Sequence, residues 1–150
     1  MIAVIQRVKQ AKVEIADEAT ATICSGLLVL LGVAQGDKDE DARWLAQKTI
    51  HMRLFPDSEG KMNLSLKETA GELLVVSQFT LCASTAKGNR PSFTEAAPPD
   101  VAIELYKHFI ECCENYLEKK VHRGVFGADM KVSLINDGPV TIILDTKNKR

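Results

Sequence analysis

Ser77, Gln78 and Thr80 interrupt an otherwise apolar run, Val75–Cys82, and set a hydroxyl, a carboxamide and a second hydroxyl close together in the chain. Read functionally, a strand end here would carry hydroxyls and backbone amides into a pocket, since ligand sites favour strand ends and the loops that leave them. The same pattern also describes a strand whose polar face meets water, because successive side chains alternate between the faces of a sheet. A second candidate is Asn136-Asp137-Gly138-Pro139. Asp-Gly is a strong turn dipeptide. The proline that follows donates no ladder hydrogen bond, and an X-Pro bond reaches the cis form readily. Spacing alone leaves the reaction undecided.

Other chemistries find little support. There is no phosphate-binding loop and no dinucleotide fingerprint, so nucleotide-phosphate transfer has no motif behind it. Cys24, Cys82, Cys112 and Cys113 form no C-x-x-C pair, and His51, His108 and His122 show no ligand spacing, so no metal site and no metal-assisted reaction is expected. Neighbours such as Cys112 and Cys113 point about 100° apart on a helix and are poorly placed to bridge. All four read as reduced thiols of a reducing compartment. Chain order does not decide against a Ser-His-Asp triad. His51, at a helix end, and His108, on a polar helix face, nevertheless read as solvated surface groups rather than bases.

The elements that must position these residues follow from periodicity. Ile2, Val4, Gln6 and Val8 fall on one side of a period-2 pattern, predicting a strand over residues 1–9. A second strand at Val13 and Ile15 breaks at Asp17-Glu18 and resumes over Thr20–Ile23. Gly26–Val33 is almost wholly apolar, as expected of a strand covered on both faces. Asp37 with Glu40 resembles a cap for a helix that runs to about Met52. Pro56–Gly60 is a turn, Leu64 and Leu66 alternate with polar neighbours, and Leu73–Leu81 is predicted as a strand. Ala83–Pro98 shows no period, and an aperiodic stretch of that length is more often functional than decorative. Pro98-Pro99-Asp100 opens the clearest helix, with Ala102, Leu105, Tyr106, Phe109, Cys113, Tyr116 and Leu117 on one face. Strands at Lys131–Ile135 and Val140–Leu144 close the chain. One α/β domain spanning 1–150, strands outnumbering two main helices, is the expected class.

The chain carries 19 basic and 20 acidic residues, a formal net charge of −1. That excludes a strongly basic coat for nucleic acid, which draws on many phosphate contacts at once, but leaves room for recognition of one small nucleic-acid end. A domain of this size buries roughly 68–70% of its unfolded surface and needs no covalent staple. The longest apolar run, Gly26–Ala34, is about half a bilayer span. With the amino terminus unlike a signal peptide, a cytoplasmic protein is expected.

The segments SQFTL (Ser77–Leu81) and NDGPVT (Asn136–Thr141) resemble the two signature motifs of D-aminoacyl-tRNA deacylases. GKMNLSL (Gly60–Leu66), KGNRPSF (Lys87–Phe93) and GVFGADM (Gly124–Met130) match the same family in the same order, as does the opening MIAVIQRVKQAKVEI. The resemblance therefore covers essentially the whole chain. It departs at Ser84, where many members carry Asp. It implies a three-layer β/β/α domain in a homodimeric hydrolase of the ester between a D-amino acid, or glycine, and the terminal adenosine of tRNA. No cofactor is implied. Ser77, Gln78, Phe79 and Thr80 map onto the family's active-site strand. Phe126 would contact the adenine, with Met130 lining the same pocket. Lys87 and Arg90 are candidates for tRNA phosphates. Gly138 and Pro139, with Asn136, would reject L-amino acids by reaching into the partner subunit's site. Thr80 has been regarded as a nucleophile in the family, but no His or Lys is an obvious base to activate it. The alternative is that the substrate's own ribose 2′-hydroxyl activates or positions water. Without turnover, the same fold would be an RNA-binding module; with Thr80 as nucleophile, a general esterase.

Overall fold

A computed structural model describes residues 1–149. The chain runs β1 (Ile2–Ile15), β2 (Glu18–Ile23), β3 (Gly26–Gly32), α1 (Asp39–His51), β4 (Phe55–Pro56), β5 (Met62–Leu64), β6 (Glu72–Ser77), a short 3-10 turn (Phe79–Cys82), α2 (Pro99–Leu117), β7 (His122–Arg123) and β8 (Lys131–Asp145). The long strand β1 organises the main sheet. It pairs antiparallel with β8 from Ile2 to Glu14, and with β3 and then β2 in succession. β6 adds parallel to β3, and β7 parallel to β6. The β3–β6 pairing begins where only glycine fits. A Cβ at Gly26 would lie 1.9 Å from the Glu72 carbonyl oxygen.

The sheet is covered on both faces, which explains the continuous apolar runs. Leu27, Val29 and Leu31 of β3, with Leu73 and Val75 of β6, meet Leu45 and Ile50 of α1 and Leu105 and Phe109 of α2. The alternate residues Leu28, Leu74 and Val76 face Val8, Ala11, Val13 and Ile23, where the sheet curls over itself. Each fully buried side chain of this size contributes about 1.5–3 kcal/mol. Helices on one face and curled sheet on the other give the layered α/β domain expected from the sequence.

Several elements differ from the periodic reading. β1 is one strand, and its buried N-terminal residues are Ala3 and Ile5 rather than Ile2, Val4 and Gln6. Bulges around Val8 then hand the buried face to Val8, Ala11 and Val13. The break before β2 is a tight turn at Ala16 and Asp17, both at positive φ. The strand predicted to reach Leu81 ends at Ser77, because β3 offers no ladder partner beyond Leu31. Lys131–Ile135 and Val140–Leu144 are halves of one strand, β8, and Asn136–Pro139 is no hairpin turn. Both halves pair with β1, Asn136 opposite Val8 and Thr141 opposite Gln6, so the residues between them bulge outward. The loop 83–98 is pinched by paired backbone hydrogen bonds between Ser84 and Ser92, 2.8 and 2.9 Å.

Asp37 does not cap α1. Its carboxylate is buried, 2.8 Å from the Met1 ammonium, and accepts the Ala34 N–H at 2.7 Å. Asp41 takes the capping role, accepting the Lys38 N–H at 2.9 Å, and also pairs with Lys147 at 2.8 Å. Burial works against the Asp41 charge, but hydrogen bonds from Lys147, Lys38 and Thr146 outweigh it and hold the carboxyl at about 2. A carboxylate depressed on folding stabilises the native state above its unfolded value of 3.8, and that contribution is lost as pH falls toward 2. Asp41→Asn is therefore expected to lower stability at neutral pH and to flatten the fall in Tm between pH 4 and 2. Thermal melts across that window check both; parallel curves for the two proteins would contradict the assignment.

Candidate active site

The parallel strands β3 and β6 stop together, with Leu31 opposite Ser77. The Gln78 N–H still donates to the Leu31 carbonyl at 2.8 Å, after which the backbone leaves the ladder and winds into the Phe79–Cys82 turn. Leu81 and Ala83 N–H groups close that turn onto the carbonyls of Gln78 and Thr80. The leading N–H groups of such a turn have no acceptor within it. A strand end followed by a tight turn thus presents Ser77, Gln78, Phe79 and Thr80 at the C-terminal end of the parallel strands, where ligand sites concentrate.

A cavity of about 300 Å³ opens there. Leu31, Val33 and Val76 line its apolar part, Ser77, Gln78 and Phe79 one wall, and the segment from Phe126 to Met130 another. Tyr106 and Ala102 of α2 complete it. Tyr106 is a site residue that helix periodicity assigned only to the core. Its hydroxyl donates to the Val75 carbonyl at 3.0 Å, and burial pushes the phenol up to about 12, so it stays neutral. Its ring lies 5.7 Å from that of Phe126, tilted by 58°, and steadies it.

Thr80 is exposed, and its hydroxyl accepts a hydrogen bond from the Gln78 carboxamide. A carboxamide cannot take up a proton. Among the described residues, no histidine, lysine or carboxylate is hydrogen-bonded to this hydroxyl. The two residues hold each other's orientation without forming a nucleophile–base pair.

Gly138 and Pro139 lie outside this cavity, exposed on the β8 bulge, and the peptide bond between them is cis. Asn136 shapes the bulge rather than lining a pocket. Its side chain accepts the Val140 N–H at 2.8 Å and donates to the Val140 carbonyl and the Thr141 hydroxyl. Arg7 holds the other side. Its guanidinium donates to the carbonyl of Asp137 at 3.0 Å and to that of Leu54, beside the Asp137 carboxylate at 3.6 Å. Sequence reasoning passed over Arg7; the available signal was a charge set between Ile5 and Val8 in an apolar strand. Lys87 and Arg90 are exposed on the pinched loop and do not line the cavity. The loop returns to the site through Phe93, whose ring meets Phe79 edge-on at 5.1 Å.

Comparison with known proteins agrees with this fold. A family model described as D-Tyr-tRNA(Tyr) deacylase matches residues 4–145. The D-aminoacyl-tRNA deacylase of Cytophaga hutchinsonii is 62% identical over 150 residues, covering 100% of both chains. That of Thermosipho africanus is 57% identical over 147 residues, 98% of each. A solved structure named c-Myc DNA Unwinding Element Binding Protein superposes with a TM-score of 0.91 at 38% identity, covering 97% of this chain and 98% of that one. A probable eukaryotic D-amino acid tRNA deacylase shares the fold, with a TM-score of 0.81 at 18% identity over 95% of this chain and 97% of its own. With the match extending through both signature segments and nearly end to end, the chain belongs to the D-Tyr-tRNA(Tyr) deacylase family.

Proposed function

We propose that the protein hydrolyses the ester between a D-amino acid, or glycine, and the terminal adenosine of tRNA, releasing both and sparing L-aminoacyl-tRNA. The observation that carries this reading is the cavity lined by Ser77, Gln78 and Phe79 together with Phe126. It joins a strand end that can offer backbone donors with an aromatic ring, the two things an ester on a nucleoside calls for. The adenine stacks on Phe126, the usual way to hold an unpaired base, and Met130 fills the space beside it. The acyl oxygen points at the N–H groups of Phe79 and Thr80, which stabilise the charge that develops on it. Water adds to the carbonyl carbon, aided by the vicinal ribose hydroxyl; the ester C–O bond breaks and the leaving ribose oxygen takes a proton. Gly138 and Pro139 act across a homodimer, entering the second protomer's cavity and leaving room for hydrogen but not a side chain on the L side of Cα. Ile135 and Ile143, 52% and 69% exposed on β8, support a second copy covering that face. Such an enzyme works where translation takes place, in the cytoplasm.

The test is incubation of pure protein with matched D-, L- and glycyl-tRNA and with a simple D-amino-acid ester. Rapid cleavage of the D- and glycyl-tRNA alone is expected. Binding without turnover would favour an RNA-binding module, and cleavage of the simple ester a general esterase.

Lys87 and Arg90 serve this reading as phosphate contacts. Neutralising both is expected to weaken tRNA binding and to flatten its salt dependence by about one unit of slope per lost contact. Binding titrations from low to moderate salt check this, and an unchanged slope would return both residues to ordinary surface charge.

A further inference from the structure

Phe79 lines the cavity and yet is 57% exposed, although apolar residues of this size are ordinarily buried. It is also held. The Phe93 ring meets it at 5.1 Å with an interplanar angle of 70°, a favourable edge-to-face arrangement that limits its rotation. Phe93 belongs to the loop that carries the exposed cations Lys87 and Arg90. The cavity, about 300 Å³, is at the small end of ligand pockets. A pocket of that size takes at most the reacting end of an aminoacylated strand, so the preceding nucleotide would lie outside it.

We propose that the exposed ring of Phe79, steadied by Phe93, is the stacking surface for the nucleotide on the 5′ side of the terminal adenosine. This rests on the deacylase reading and extends it from the reacting nucleoside to the strand behind it. The two aromatic residues divide the work by depth. Phe126, half-buried against Tyr106, suits the base carried into the cavity, and Phe79 the base left outside. Stacking suits the task because every base has a π-face and the contact is tolerant of sequence. Lys87 and Arg90 supply charge complementary to the phosphates of the departing strand. Phe79 then acts twice, its backbone N–H toward the acyl oxygen and its ring toward the neighbouring base, which is how the reaction and the position of the strand become linked.

The experiment compares wild type, Phe79→Leu and Phe93→Leu on D-aminoacyl-tRNA and on D-aminoacyl-adenosine, which lacks the preceding nucleotide. Both variants keep the backbone N–H groups. With stacking lost, kcat/KM for the tRNA substrate is expected to fall about tenfold more than for the nucleoside ester, mainly through KM. A second readout does not involve turnover. A short RNA hairpin carrying 2-aminopurine immediately before its terminal adenosine should be quenched on binding wild type and much less on binding Phe79→Leu. Equal losses on the two substrates would overturn the proposal, since the ring would then only shape the catalytic turn. Undiminished quenching by Phe79→Leu would also overturn it. Dissociation of the Phe79→Leu protein into monomers by sedimentation would assign the ring to a second copy of the chain instead. Wild-type protein that quenches the probe but cleaves neither ester would refute the deacylase reading while supporting the stacking surface.

Discussion

A substrate ending in 2′-deoxyadenosine is expected to lose roughly 10²–10⁴-fold in cleavage rate, the range typical of a removed acid–base partner, while Thr80→Ala keeps activity within about tenfold. The reason lies in the partners of Thr80. Its exposed hydroxyl is hydrogen-bonded by Gln78, which orients it but cannot accept its proton. Loss of one such hydrogen bond costs about 0.5–1.5 kcal/mol, or tenfold at most. The vicinal ribose hydroxyl is adjacent to the reacting carbon in every substrate molecule, so it brings its own proximity. Single-turnover rates with matched ribo- and deoxyribo-terminated D-aminoacyl-tRNA, for wild type and Thr80→Ala, check both statements. Abolished activity in a folded Thr80→Ala protein, with the deoxy substrate still cleaved by wild type, would make Thr80 the nucleophile.

Gly138→Ala is expected to lower D-aminoacyl-tRNA cleavage, or the preference for D over L, by tenfold or more while the protein stays folded. Gly138 adopts φ +136°, a conformation that L side chains rarely adopt. A Cβ there would lie 2.8 Å from Val140 Cγ2 and 3.1 Å from Arg7 Nη2 and the Val140 nitrogen. The bulge must therefore shift, and a loss of 1.4 kcal/mol in fit already corresponds to tenfold. Because Gly138 is exposed and outside both apolar cores, the displacement need not unfold the domain. Arg7→Met should act in the same direction by releasing the carbonyls of Leu54 and Asp137 from the guanidinium. Cleavage of D-, L- and glycyl-tRNA by wild type and both variants measures the effect. Glycyl-tRNA, with no side chain to reject, should remain a substrate of the wild type. Unchanged rates and chirality in both variants would make the bulge a passive irregularity of β8.

Much of the architecture was legible in the residues. The apolar run of β3 announced a strand covered on both faces, that of β6 announced a strand, and the apolar face of α2 was readable from Ala102 to Leu117, because burial leaves a direct trace in residue order. The motifs around Ser77 and Asn136 marked the family, and Ser77, Gln78 and Phe79 of the first of them line the candidate cavity. All of these are properties of local residue order.

Three-dimensional pairing decided the rest. Residues 131–145 read as two strands because Asp-Gly and proline locally favour a turn. Only the shared partner β1 keeps both halves in one strand and pushes Asp137–Pro139 out as a bulge. The reading of Leu73–Leu81 as one strand failed for a related reason. Apolar character continues past Ser77, but the ladder partner does not, so the backbone turns, bringing Phe79 to the cavity and leaving Thr80 exposed beside it. Arg7 stood out only as a charge in an apolar strand; its partner Asp137, 130 residues away in sequence, is set by the fold. Tyr106 earns its place in the cavity by facing Val75 and Phe126 across the fold. Periodicity reports how strongly a side chain is driven from water; which partner receives it depends on contacts between distant segments that form only when the sheet closes.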